Sequence, residues 1–374
     1  MQTIAVLGAG RVGNAMARDL ATKFHITAFD INGNNLAELE GYENIQIHNL
    51  DLQSSDFIEI LKDYDLVISA VPGFMGFGIL KKVIECGKDV VDISFFPEDP
   101  FELDILAKKM GVCAVVDCGV APGMGNVILG RYNELMKVHT YECLVGGLPI
   151  KRDWPFQYKA GFSPIDVIEE YVRPARYVQK GELVVREALS DPELVNFDKI
   201  GTLESFNTDG LRTLINTMQI PDMIEKTLRY PGSLDPLRVL RNCGLFSETP
   251  VEIDDKKIKP IDLTSKLLFP LWKLEKEDID ITVMRITIKG DHDGENKEII
   301  YDLYDEKDTE NQNSSMARTT GYTCTAVANL ILEGNFSNKG INPPEYLGIK
   351  ESHFNYILEY LKERNVNYTK TVNP

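Results

Sequence analysis

The stretch TIAVLGAGRVGNAMARDL, residues 3–20, decides the fold. Thr3 to Leu7 is an apolar, partly β-branched run of strand length. Gly8-Ala9-Gly10-Arg11-Val12-Gly13 follows at once, and Val12, Ala15, Met16 and Leu20 then recur at helical spacing. Strand, glycine turn and helix in that order give G-x-G-x-x-G its meaning. Gly8 permits the tight turn, Gly10 lets backbone approach a pyrophosphate, and Gly13 lets the helix pack closely on its strand. The helix start at Arg11 and Val12 offers unpaired N–H groups and a positive dipole end to phosphates. A second short strand, His25 to Phe29, ends in Asp30, about 20 residues on, where a carboxylate accepts ribose hydroxyls and repels a 2′-phosphate. The flanking Ile31-Asn32-Gly33-Asn34 brings no arginine, so the expected cofactor is NAD rather than NADP.

The 374 residues suggest two domains, and the net charge of −17 argues against nucleic acid or an anionic membrane as partner. The same charge suits either a cationic substrate or plain solubility. Six cysteines form no C-x-x-C pair, which fits reduced thiols and no metal site. With a strand from residue 3 and no long apolar run, neither a signal peptide nor a membrane span is expected, and the location expected is cytoplasmic.

Working outward, Ile45 to Ile47 reads as a third strand, placing Asp51 and Leu52 by an adenine, with a helix cap as the other reading of Asp51. Asp65 to Gly73 is a strongly apolar strand ending in a breaker, and its carboxyl end, with Val71 and Pro72, is expected to face the nicotinamide half. Strands at Val90–Ser94 and Val112–Val116 alternate with helices, which predicts a doubly wound parallel sheet. Asp92 and Asp117 close these two strands on the crevice side, in a chemical or a capping role, and Gly119 begins a glycine-rich turn there. From about Thr140 alternating strands predict an inserted α+β domain with a mostly antiparallel sheet. Asp293-Gly294 marks a hairpin turn, which makes His292 a surface residue, and the charged tract Glu252–Lys259 reads as a solvated loop. Thr319 and Thr320 read as the start of a helix, and the tail is expected to return to the first domain. The division expected is 1–124, 125–320 and 321–374.

SAVPG, VDISF, DCGVAPGMGN (117–126), SPIDVIEEYVRPA (163–175), LESFNTDGLRTL (203–214), EKTLRYPG (225–232) and MARTTGYTCTAVANLI (316–331) together resemble the saccharopine dehydrogenase-like family, and within it the short lysine ε-dehydrogenases. The resemblance implies a Rossmann domain, a second domain carrying the substrate site and a homodimer interface, and nicotinamide-linked oxidation of an amine.

Oxidising a C–N bond needs a neutral amine, a proton acceptor and fixed charge for the substrate. The five histidines lie outside these motifs, so Asp117 and Asp92 are the candidate bases, with Cys118 better read as packing. A substrate α-carboxylate calls for arginine: Arg318, with Thr320 beside it, and Arg229 first, Arg212 and Arg173 behind them. Trp154, Tyr158 and Phe162 wall a pocket or fill a core. The activity expected is NAD-dependent oxidation of the lysine ε-amine. A saccharopine-type enzyme acting on a secondary amine and a non-catalytic NAD sensor are the rival readings.

Overall fold

The computed structural model describes residues 1–54 and 57–374. The chain runs β1 (Thr3–Leu7), α1 (Arg11–Leu20), β2 (His25–Asp30), α2 (Gly33–Ala37), β3 (Ile45–Asn49), α3 (Phe57–Leu61), β4 (Leu66–Ser69), α4 (Gly73–Glu85), β5 (Val90–Asp92), α5 (Asp104–Met110), β6 (Cys113–Val115) and α6 (Met124–Leu135). It continues through β7 (Lys137–Pro149), α7 (Pro164–Val172), β8 (Ala175–Gln179), β9 (Glu182–Arg186), β10 (Glu193–Phe197), β11 (Gly201–Asn207), α8 (Leu214–Thr217), β12 (Asp222–Arg229), α9 (Leu234–Asn242), β13 (Val251–Ile253), β14 (Lys256–Ile258), α10 (Pro260–Trp272), β15 (Asp280–His292) and β16 (Glu295–Glu306). It ends with α11 (Ser315–Leu332), β17 (Gly340–Asn342), α12 (Pro344–Ile349), α13 (Glu351–Glu363) and β18 (Tyr368–Asn373).

Two compact units result. The first holds residues 1–137, 291–294 and 316–368; the second holds 138–290, 295–315 and 369–374. The boundaries therefore fall later than the expected 124 and earlier than the expected 320. The reason is physical. Helix α6 packs on α12: a Cβ placed on Gly130 or Gly348 would overlap the other helix's backbone, so neither helix can leave the first unit. Helix α11 is continuous from Ser315, so Thr319 and Thr320 lie one turn inside it rather than at its start.

The first unit carries a seven-stranded sheet in the order β17-β6-β5-β4-β1-β2-β3, parallel throughout its pairings. This is the doubly wound dinucleotide order with a seventh strand added at the edge. The strands are short, and all but the edge strand β3 are almost wholly buried, as a sheet covered on both faces requires. Its crevice lies between β1 and β4, where the strand order reverses. A Cβ on Gly13 would overlap the Gly8 carbonyl oxygen, so only glycine lets α1 seat on the turn. At the far end of α1, Asp19 accepts from Tyr360 Oη at 2.7 Å, Thr325 Oγ1 at 2.5 Å and Arg364 Nε at 2.7 Å, which ties α1 to α11 and α13.

The second unit is built on a nine-stranded sheet running β10-β11-β12-β7-β15-β16-β18, with β8 and β9 branching from β12. Pairings β10–β11, β11–β12 and β8–β9 are antiparallel, but β7 and β12 run parallel, so the sheet is mixed. The terminal strand β18 belongs to this sheet rather than to the first unit. Residues 251–258 form a two-stranded hairpin instead of a loop. Asp293 (φ 56°) and Gly294 (φ 83°) make the expected turn, with His292 exposed. Phe156, Tyr158, Tyr171, Phe206, Phe246 and Trp272 gather in one core, so Tyr158 fills a core, whereas Trp154 is 89 % exposed.

Candidate active site

The opening turn presents its open side at α1. A Cβ on Gly8 would come within 2.5 Å of the Ala70 carbonyl oxygen, whereas one on Gly10 would meet no heavy atom within 4 Å. Gly8 and Gly13 are thus packed against protein, while the missing side chain of Gly10 leaves space in front of a helix N-terminus. Arg11 is exposed and Val12 half-buried on the first turn of that helix.

Asp30, half-buried at the end of β2, is held by three donors: Oδ2 accepts from Ala9 N at 2.8 Å and Asn35 Nδ2 at 3.1 Å, and Oδ1 from Asn32 N at 2.7 Å. A carboxylate has about four acceptor positions, so these three donors leave room for one more. The cleared cradle at Gly10 and the fixed carboxylate at Asp30 fit a dinucleotide. Asp51 is exposed and accepts from Gln53 N at 2.9 Å, a local turn. Leu52 and Val71, each 6 % exposed, point into the core of the first unit, so neither offers its side chain to a ligand. Their position along the chain made them candidates, and their apolar side chains are what bury them. Pro72 is half-buried and precedes α4.

Asp92 and Asp117 lie together at the carboxyl ends of β5 and β6, 0 % and 2 % exposed. Cys118 N donates to the Asp92 carbonyl at 3.0 Å and fixes the two strand ends in register. Asp92 Oδ1 accepts from Ser94 N at 2.8 Å and Oδ2 from Ser94 Oγ at 3.2 Å. Burial pushes the Asp92 carboxyl up to about 7; the hydrogen bonds of Ser69 and Ser94 oppose this and the nearby Asp117 adds to it. Asp117 has φ 52°, outside the range most non-glycine residues adopt, a conformation held where a site demands it. Gly119 follows in a turn in which its N–H donates to both the Asp117 and Pro122 carbonyls at 3.1 Å. Thr320 of α11 closes on it: a Cβ on Gly119 would lie 3.2 Å from Thr320 Cγ2. The structure therefore brings Asp92, Asp117, Gly119 and Thr320 together. Burial also pushes up the thiols of Cys118 and Cys324, which keeps both neutral.

Arg318 donates to the Arg364 carbonyl at 3.0 Å and is 6 % exposed. Arg229 corrects the sequence expectation. At 2 % exposure it is built into the second unit, with Nη2 3.0 Å from Glu170, Nε donating to Tyr171 Oη at 3.3 Å, and its guanidinium 4.3 Å from the Tyr158 ring centroid. A buried cation needs such partners, and these commit it to packing. The arginines ranked lower form the more unusual pair. Arg173 is lowered in proton affinity by burial and, next, by the charge of Arg212. Arg212 is 6 % exposed at φ 49°. Arg173 also donates to Glu169 at 3.4 Å, and the Asp209 carboxylate acts on it too, so this guanidinium already has acidic partners of its own.

Ser94 and Asn35 escaped the sequence reading. The signal for Ser94 was the Asp-x-Ser spacing of VDISF, which favours a side chain folding back on its own backbone. Among the described residues no group of three or more His, Cys, Asp or Glu is placed to hold a metal ion. Nor is any described helix long and apolar enough to cross a membrane.

Residues 119–366 match the family model of the saccharopine dehydrogenase C-terminal domain, and residues 4–115 that of the saccharopine dehydrogenase NADP binding domain. The chain belongs to the saccharopine dehydrogenase family. Among curated relatives it is 25 % identical over 316 residues to the Saccharomyces cerevisiae saccharopine dehydrogenase [NADP(+), L-glutamate-forming], covering 79 % of this chain and 70 % of that one. It is 24 % identical over 262 residues to the mouse mitochondrial α-aminoadipic semialdehyde synthase, covering 65 % of this chain but only 28 % of that enzyme's length. In fold, this member of the saccharopine dehydrogenase family matches the apo yeast saccharopine dehydrogenase (L-Glu forming) with a TM-score of 0.79 at 19 % identity over the whole of both chains. It also matches the Legionella pneumophila homospermidine synthase, a structure in complex with NAD, with a TM-score of 0.72 at 12 % identity, over 100 % of this chain and 91 % of that one.

Proposed function

We propose that this saccharopine dehydrogenase family member is an NAD-dependent oxidoreductase that oxidises the ε-amine of lysine to the semialdehyde, which cyclises, with release of ammonia. The observation that carries the reading is Asp92, a wholly buried carboxyl pushed up to about 7 beside Asp117 at the strand ends of the dinucleotide sheet. A group that changes protonation near neutrality is what proton removal from an ammonium requires.

Gly10, the N-terminus of α1 and Asp30 would hold the dinucleotide, and the half-buried backbone at Pro72 would border its nicotinamide end. When bound, the nicotinamide supplies the hydride acceptor for the carbon bearing the amine. Asp92 takes the ammonium proton through the Ser94 and Ser69 hydroxyls, leaving the neutral amine whose C–H bond can be broken. It passes that proton to solvent, then takes one from the water that adds to the iminium carbon and gives it to the departing amine, which leaves as the carbinol oxygen becomes the aldehyde. Lysine, NAD and water thus give semialdehyde, ammonium, NADH and one proton. Thr320 and the turn at Gly119 exclude bulk water from the carboxylates. Arg318, with Thr320 beside it, would hold the substrate α-carboxylate through its forked N–H donors. A single arginine suits one carboxylate better than the three of saccharopine, which favours the smaller amino acid. The Asp30 carboxylate favours NAD, although the family model matching this domain is named for NADP. The homodimer and the cytoplasmic location expected from the sequence stay with this reading.

Purified protein is incubated with NAD or NADP and with lysine, saccharopine or a diamine lacking the carboxylate. NADH formation with lysine alone supports the proposal. Turnover of saccharopine only would move the chain to the secondary-amine reaction, and no turnover with any amine would make it a nucleotide sensor.

A further inference from the structure

Behind Asp30 a chain of amide contacts leads back to α1. Asn35, on α2, donates from Nδ2 to Asp30 Oδ2 at 3.1 Å. Its own carbonyl accepts from Asn14 Nδ2 at 3.2 Å, and the same Asn14 nitrogen lies 3.3 Å from Glu38 Oε2. Asn14 is 2 % exposed, and its Oδ1 has no hydrogen-bond partner. Burying an amide oxygen unpaired costs about 1–3 kcal/mol, so a side chain chosen for packing alone would be apolar. The two donor bonds of Asn14 Nδ2 are its contribution. Asn32 turns the segment back toward the strand, its side chain accepting from Asn34 N at 3.1 Å while its N–H meets Asp30 Oδ1.

We propose that Asn35, anchored by Asn14, is the positioning residue that fixes the Asp30 carboxylate, and that Glu38 adds a second negative charge to the same corner. The network thereby sets the preference for a dinucleotide with a free 2′-hydroxyl over one with a 2′-phosphate. The inference rests on the NAD reading above and explains how that preference is built. With three of its acceptor positions filled from inside the protein, Asp30 keeps one lone pair in a fixed direction. Without Asn35 the carboxylate regains rotamer freedom, and a hydroxyl that it accepts must first order it. Exposed Glu38 acts at longer range, by charge alone.

The test measures NADH and NADPH affinities of the full chain by the fluorescence of the reduced nicotinamide, at low salt, for the parent, Asn35→Ala and Glu38→Gln. Asn35→Ala should weaken NADH about tenfold and NADPH much less, so the NADH/NADPH ratio falls. Glu38→Gln should leave NADH unchanged and tighten NADPH about fivefold. Both variants keeping the parent ratio within twofold, at parental melting temperature, would overturn the proposal. A parent that itself prefers NADPH would instead overturn the NAD reading. If Asn35→Ala does not fold, Glu38→Gln, which removes only a charge, decides the question.

Discussion

Replacing Asp92 by asparagine keeps the shape of the side chain and removes its charge. The amide oxygen can still accept from Ser94 N, 2.8 Å away, and the amide nitrogen can donate to the Ser94 hydroxyl, 3.2 Å away. In the parent, burial raises the carboxyl from its ordinary 3.8 to about 7, so the folded protein binds a proton more tightly than the unfolded chain does. Stability from this group is fully present below about pH 4 and is lost as pH rises through about 7. The asparagine of the Asp92→Asn variant does not titrate, so the variant gains on the parent over that window and the gain levels off above about pH 8. A gap of about three pH units corresponds to a ceiling of ~4 kcal/mol, at about 1.4 kcal/mol for each. Relaxation around a buried charge lowers this, and about 1.5 kcal/mol or more is expected, a rise in Tm of roughly 4 °C relative to parent at pH 8. Thermal melts of both proteins from pH 4 to pH 9 measure it. A difference independent of pH, or a variant that loses ground as pH rises, would show that the folded protein favours the charged carboxylate and would refute the reasoning.

Gly10→Ala should cost under about 1 kcal/mol of stability, because its Cβ meets no heavy atom within 4 Å, and the bulkier Gly10→Val should abolish measurable NADH binding. Gly13→Ala places its Cβ on the Gly8 carbonyl and should cost about 2–3 kcal/mol, read by melting temperature. Arg318→Met should raise KM for lysine about 100-fold with kcat less affected. Arg229→Met leaves half-buried Glu170 without its cation and should instead lose about 2–3 kcal/mol of stability, so the two variants separate binding from packing.

The first unit was legible where neighbours in sequence are neighbours in space. β1, the glycine turn, α1 and Asp30 declare themselves within thirty residues, because turn chemistry and periodicity are local. β17 was not legible: it is three residues long, and it is a strand only because β6 lies beside it. The same holds for β18, an exposed polar strand defined by its place next to β16. The domain boundary after α6 could not be read from the helix itself, since its interface with α12 depends on two glycines far apart in the chain. Among candidate site residues, the strand-end aspartates were legible from position alone, but their burial and the rise at Asp92 were not, for these depend on the packing around them. Arg229 and Arg212 look alike in sequence. Glu170 and Tyr171 claim the first, and the left-handed backbone at Arg212 marks the second.

The central claim is that hydrogen moves from the carbon bearing an amine to a nicotinamide seated at the opening turn. Lysine deuterated at its ε-carbon, NAD and the purified protein test it directly, with the recovered cofactor weighed by mass spectrometry. The account predicts reduced cofactor carrying one deuterium, none in the Gly10→Val variant, and ammonia in equal amount. Reduced cofactor without deuterium, or no reduction by a protein that binds NADH, would contradict it.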